Sequence, residues 1–319
     1  MRLSKHLSKT KIRIIIGVSI LLGFSIFYVL PPTDFPSNKI IIIHSGDSLT
    51  QVTASLKKEG IVRSSFVLNN VMIFGNRERG AISGEYIFTK PVSVFTIAKR
   101  IGTGDFGFPL KRLTIPEGMT IAQIASSVSP SFFHFNKGEF LTLTSGQEGY
   151  LFPDTYFFPT NVTTENVIKT LSDNFDKKTS SLKADVLISG KTFKDTITMA
   201  SILEEEALTA EDRKIVAGIL WKRIKLGMRL QVDPPLSYVT GRNTYELTLK
   251  DLKLDSPYNT YIHTGLPPTP ISNPGLESID AAIHPVETKY FFYLSDKKGV
   301  MHYAATYAEH LKNKNLYLK

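Results

Sequence analysis

From Ile14 to Leu30 the chain runs IIIGVSILLGFSIFYVL, seventeen residues without a charge or a proline. As a helix rising ~1.5 Å per residue this stretch is about 26 Å long, enough to cross a bilayer core when Arg13 and Tyr28 sit at the two interfaces. Arg2, Lys5, Lys9, Lys11 and Arg13 all come before the first acid, Asp34. A cleaved signal peptide is the competing reading. Against it, the apolar stretch is longer than a usual signal core, and its exit, Phe27-Tyr28-Val29-Leu30-Pro31-Pro32, lacks a small-x-small cleavage pattern. The expectation is an uncleaved single-pass anchor over residues 13–30. Its basic tail, 1–12, is cytoplasmic, and the rest of the chain lies outside the membrane.

That tail also explains most of the net charge. The 319 residues carry 38 Lys and Arg against 29 Asp and Glu, a balance of +9, and five of the cations precede residue 14. The basic excess therefore argues poorly for nucleic acid. Cysteine is absent, which excludes disulfides, zinc–thiolate sites and cysteine nucleophiles. The seven histidines form no HExxH and no i, i+4 pair, and no GxSxG elbow, Walker loop or GxGxxG occurs. No metal and no cofactor is expected.

After a short stiff linker, 31–38, the text of the chain repeats itself. Ile43-His44-Ser45-Gly46-Asp47-Ser48-Leu49-Thr50-Gln51-Val52 aligns with Ile115-Pro116-Glu117-Gly118-Met119-Thr120-Ile121-Ala122-Gln123-Ile124. Each copy reads as strand, glycine turn, hydroxyl N-cap and amphipathic helix. Gly84-Glu85-Tyr86-Ile87-Phe88 likewise echoes Asp154-Thr155-Tyr156-Phe157-Phe158. Two copies of a small α+β module are expected. Helical text follows over 192–209 and 210–226, stopped by Gly227. Residues 230–275 are rich in Pro, Gly, Asn and Tyr and predict long loops without regular elements, the usual surroundings of a cleft. Tyr290–Leu294 and Met301–Ala304 predict a hairpin before a last helix from about Tyr307.

The strongest chemical signal is Met199-Ala200-Ser201-Ile202-Leu203-Glu204-Glu205-Glu206. On a helix, Glu204 joins the apolar stripe of Ile197, Ala200 and Leu208, Glu205 shares a polar face, and Glu206 is intermediate. A carboxyl on an apolar face beside other carboxyls is expected to hold its proton to higher pH, as a general acid must. The bland reading, three glutamates that merely solvate a helix, stays open on pattern alone.

From about residue 39 to 319 the chain resembles the membrane-anchored endolytic murein transglycosylases, the YceG-like family. The resemblance lies in Glu148-Gly149-Tyr150-Leu151-Phe152-Pro153-Asp154, Ala200-Ser201-Ile202-Leu203-Glu204, Gly227-Met228-Arg229-Leu230-Gln231 with Asp233-Pro234, Tyr258-Asn259-Thr260-Tyr261, Gly265-Leu266-Pro267-Pro268 and Asn273-Pro274-Gly275. Val232 and Pro235 stand where that family often carries small hydroxyl residues. The resemblance implies an α+β fold in which the anchor is followed by a LysM-like module, 39–108, and a catalytic domain, 109–319. It further implies cleavage of the β-1,4 bond between N-acetylmuramic acid and N-acetylglucosamine without water. Glu204 would be the catalytic acid and then base, and the muramic C6 hydroxyl would close a 1,6-anhydro ring. An intramolecular nucleophile has a high effective molarity, so no second carboxylate is needed to place a water. Glu148, Tyr150, Asp154, Glu206, Gln231, Asp233, Tyr258 and Asn259 are the candidate sugar contacts. Peptidoglycan strands, the membrane and peptidoglycan synthases are the expected partners. A muramidase of the same fold and a non-catalytic glycan-binding scaffold are the alternatives.

Overall fold

The structure is a computed structural model that describes residues 13, 16–19, 23, 26–75 and 80–318. Residues 14, 15, 20–22, 24 and 25 of the apolar run therefore lie outside the described residues. Among those described, no helix is long and apolar enough to cross a membrane. The chain is α+β and divides into two compact units, Met1–Pro109 and Leu110–Lys319.

In the first unit β1 (Ile40–Ile43) is followed by α1 (Leu49–Lys58), α2 (Ser65–Phe74), β2 (Gly84–Ile87) and α3 (Val94–Thr103). β1 and β2 pair antiparallel, with Ile41 opposite Tyr86. Strand alternation turns Ile41 and Ile43 inward, where they meet Val52, Leu56, Leu68, Tyr86, Phe88 and Ile97 in one buried cluster. The second unit opens with the same order: β3 (Leu110–Thr114), α4 (Ile121–Val128), α5 (Lys137–Leu143), β4 (Thr155–Pro159) and α6 (Thr164–Thr179). The internal echo in the sequence is thus an echo of elements, down to the caps. Ser48 and Gln51 form a capping box at α1, and Thr120 and Gln123 form one at α4.

The rest of the second unit is helical: α7 (Lys183–Ile188), α8 (Phe193–Glu206), α9 (Ala210–Lys225), α10 (Pro234–Thr240) and α11 (Leu276–Ile283). It closes with the antiparallel hairpin β5 (Phe292–Ser295) and β6 (Met301–Ala304) and with α12 (Tyr307–Tyr317). α10 corrects the expectation of an element-free stretch after Arg229. Pro234 and Pro235 occupy the first helical positions, where a missing N–H costs nothing and a fixed φ suits the helix, and Gly241 ends it in the left-handed region.

α8 is the axle of this unit. It is buried continuously from Thr196 to Leu203 and packs against α7, α9, α10 and α11. Helix-to-loop hydrogen bonds fix what surrounds it. Ser201 Oγ accepts from the Ile271 N–H at 3.0 Å and donates to the Thr198 carbonyl at 2.8 Å. Gly149, at φ +90°, lies so close to Pro270 and Ile197 that an added Cβ would come within 2.6 Å of one and 2.9 Å of the other. Only glycine fits there on both counts.

Candidate active site

Because α8 is sheathed on every side, an apolar and a polar face do not distinguish its residues. What matters is where its last turn emerges. Successive residues are ~100° apart on a helix, so the three glutamates leave in three directions.

Glu204 turns toward α9 and α11. One carboxylate oxygen accepts from Arg213 Nη2 at 2.8 Å and the other from the Gly275 N–H at 2.8 Å. Gly275 is the N-cap of α11 and supplies no capping side chain, so the carboxylate of Glu204 serves that helix end instead. Arg213 also donates to the Ala207 carbonyl at 3.0 Å and to Glu277 at 3.1 Å. The side chains of the pair are only 6% and 9% exposed. This corrects the environment expected at Glu204. The helical stripe predicted a carboxyl among apolar groups and other carboxyls, and the fold supplies a guanidinium.

Glu205 is exposed and lies against Gly118, whose φ of +79° and bare Cα let the carboxylate approach. It borders a groove of about 860 Å³ with Glu148, Gln123, Ser237, Tyr238 and Arg242.

Glu206 enters a separate cavity of about 440 Å³, lined also by Gln231, Asp233, Tyr261, Tyr293 and His310. The Tyr293 hydroxyl donates to Glu206 Oε2 at 2.8 Å. Burial raises the Glu206 pKa to about 7, the Tyr293 hydrogen bond opposes the rise, and the negative charges of Asp233 and Glu205 add to it. Asp233 is steadied by the Tyr261 hydroxyl, 2.5 Å from its Oδ1. Gln231 sits at φ +53°, its N–H held by the Thr260 carbonyl at 3.1 Å. A left-handed non-glycine residue next to the acid is a local strain that the Thr260 clamp maintains. Val232 and Pro235, where small hydroxyl residues were expected, are both buried. Thr260 Oγ1 pairs with both the N–H and the carbonyl of Val232, at 3.0 and 2.8 Å.

Of the nine residues proposed from sequence, Glu206, Gln231 and Asp233 share this cavity, and Glu148 lies on the larger groove. Asn259 is fully buried. Its amide donates to the Leu252 and Leu254 carbonyls and accepts from the Tyr261 N–H, so it has no free group for an N-acetyl contact. The Tyr258 hydroxyl is within 2.7 Å of Thr269 Oγ1 and its ring packs on Tyr238. Asp154 caps the Thr155 N–H and pairs with Asn174 and Lys178, and Tyr150 packs on Phe175. Tyr150, Asp154, Tyr258 and Asn259 line neither cavity. The contacts they make within the chain hold the fold. Tyr261 and Tyr293 were missed by the sequence reading. Tyr261 ends the Tyr-Asn-Thr-Tyr motif that was noticed, whereas nothing in the strand text around Tyr293 marks it.

Glu148 joins the motifs to one another. Its carboxyl accepts from the Ile121 N–H at 3.0 Å, the Asn273 amide at 3.1 Å and the Tyr238 hydroxyl at 3.2 Å. Asn273 in turn accepts from the Leu151 N–H and donates to the Met119 carbonyl. Burial nonetheless raises the Glu148 pKa to about 7, against the pull of those three donors. Two carboxyls, Glu148 and Glu206, thus bind protons more tightly folded than unfolded. Between pH 4.5 and 7 the native state holds the extra protons, so stability falls as pH rises through that window. Urea midpoints measured from pH 5 to 8 are expected to decline, and Glu148→Gln and Glu206→Gln are each expected to flatten the decline. A slope unchanged in both variants would contradict the burial argument.

Among the described residues no group of three or more His, Asp or Glu is arranged to hold a metal ion. The smaller cavity sets Glu206, its pKa raised, together with Asp233 in a space of ligand size. Such a pair on this α+β frame suits acid–base chemistry. Comparison with known proteins narrows the class. The model of the YceG-like family matches residues 41–316, and the chain belongs to that family. It is 30% identical to the endolytic murein transglycosylase of Bacillus subtilis over 96% of this chain and 91% of that protein. It is 28% identical to the endolytic murein transglycosylase of Streptococcus pneumoniae, over 91% of this chain and 61% of that protein. The crystal structure of a yceG-like protein from Listeria monocytogenes superposes with a TM-score of 0.58 at 29% identity, covering 86% of this chain and 99% of that one.

Proposed function

We propose that this chain is an endolytic lytic transglycosylase of peptidoglycan and that Glu206, rather than Glu204, carries the protons. The observation that carries the assignment is the Glu206 carboxyl, held by the Tyr293 hydroxyl at 2.8 Å in a cavity that also holds Gln231, Asp233 and Tyr261. The curated relatives named for that activity support the substrate. As acid, Glu206 gives its proton to the glycosidic oxygen while the bond from that oxygen to the muramic C1 breaks. As base, it takes the proton of the same sugar's C6 hydroxyl, whose oxygen bonds to C1. The proton count closes on Glu206 and no water is consumed. Asp233 faces the positive charge that grows at C1, and Tyr293 holds the acid in place. We further read residues 13–30 as a single-pass anchor with a cytoplasmic N-terminus, and 39–108 as a LysM-like module whose strand–helix–helix–strand order supports the name. Residues 109–319 are then the catalytic domain, and peptidoglycan synthases are its partners.

Asp233 beside Glu206 also suits a muramidase, in which the second carboxylate would hold a water. The purified full chain, given uncrosslinked glycan strands in ¹⁸O-water, is expected to make internal cuts whose new ends are anhydro sugars free of label. Labelled reducing ends would make it a hydrolase, and strands bound but uncut would make it a scaffold.

A further inference from the structure

The first unit carries an apolar surface that its own fold leaves open. Phe66, Ile73 and Phe74 on α2 and Phe95 on α3 are 76%, 56%, 83% and 57% exposed. Between the two helices runs a groove of about 680 Å³, walled by Phe66, Val67, Val71, Phe74 and Phe95 and rimmed by Lys99. Single exposed apolar residues are ordinary, but three exposed phenylalanines around one apolar groove are not.

We propose that this α2–α3 face dips into the headgroup region of the bilayer as a second membrane contact. The proposal rests on reading residues 13–30 as an anchor. The chain leaves that apolar run without slack. Val29 packs against the core of the unit. Arg63 donates from Nε and Nη2 to the Pro31 carbonyl, at 3.1 and 2.9 Å, and its guanidinium lies 4.2 Å over the Phe27 ring. Phe66 follows Arg63 by three residues, a reach of at most ~11 Å. α2 then extends about 15 Å to Phe74. The apolar face therefore begins within ~11 Å of the residue that clasps the end of the anchor and runs on for about 15 Å from there.

Charge points the same way. Residues 39–109 hold nine Lys and Arg against five Asp and Glu, and Lys99 stands at the rim of the groove. Aromatic side chains with basic neighbours are the composition of surfaces that lie in an anionic leaflet. A single helix leaves a unit free to swivel about the membrane normal, and a second contact removes that freedom.

The absence of cysteine makes the test direct. Phe74→Cys, Phe95→Cys and, off the patch, Thr50→Cys are each labelled with bimane in the full chain and reconstituted into vesicles of phosphatidylethanolamine and phosphatidylglycerol. Lipids carrying a shallow doxyl quencher are expected to dim the labels at 74 and 95 at least roughly twofold and to spare the label at 50. Protein that resists a carbonate wash yet stays bright at 74 and 95 would overturn the membrane contact while leaving the anchor standing. Protein that washes off would sink the anchor and this proposal together. Disulfide-linked dimers formed by an added thiol oxidant from unlabelled Phe74→Cys protein in the bilayer would assign the face to a second copy and overturn the proposal.

Discussion

Glu206→Gln is expected to slow glycan cleavage by roughly 10²–10⁴-fold, the usual weight of a positioned acid–base group. Glutamine keeps the shape and the bond from Tyr293 but has no proton to give and reclaim. Folding should survive, because the substitution replaces a carboxyl whose ionisation burial already opposes. In the parent chain the rate limited by this acid should fall about tenfold per pH unit above about pH 7, as the protonated fraction of Glu206 declines. Turnover measured against pH on isolated strands checks both statements. A Glu206→Gln variant with parental turnover would remove Glu206 from the chemistry.

Periodicity located the glutamate triplet but could not rank its three members, for a physical reason. Periodicity assigns faces on the assumption that a helix has one wet side, and Ile197, Thr198, Ala200 and Ser201 are all buried alike on α8. Once that contrast vanishes, only tertiary neighbours separate Glu204 from Glu206. Arg213 lies nine residues beyond Glu204 on the next helix, but Gly275 lies 71 beyond Glu204 and Tyr293 lies 87 beyond Glu206. Local signals fared better. The Ser48 and Thr120 caps, the hairpin of β5 and β6 and the helix from Tyr307 are written in turn chemistry and alternation, which need no distant partner. The motifs that carry the family resemblance were legible too, but several act by holding the fold. Glu148, Asn273 and Met119 knit three separated segments together, and Asn259 ties off a loop.

Breaking the Glu204–Arg213 pair is expected to cost stability rather than chemistry. Glu204→Ala leaves the Arg213 guanidinium, 9% exposed, with the Ala207 carbonyl and the largely exposed Glu277, and it takes from the Gly275 N–H the carboxylate it donates to. Removing one partner of a buried pair typically costs about 3–5 kcal/mol, chiefly through the charge left behind. Urea unfolding should find a loss of that order for Glu204→Ala and a similar one for Arg213→Ala. Replacing both at once, as Glu204→Leu with Arg213→Met, should recover much of it, since no unpaired charge then remains. Glu204→Gln is the sharper case. It retains one oxygen for Gly275 or for Arg213 but carries no charge, so it should be less stable than the parent yet cut glycan at the parental rate wherever it stays folded. A Glu204→Gln chain that is fully folded, as stable as the parent and inactive would return the acid to Glu204 and leave Glu206 as its neighbour.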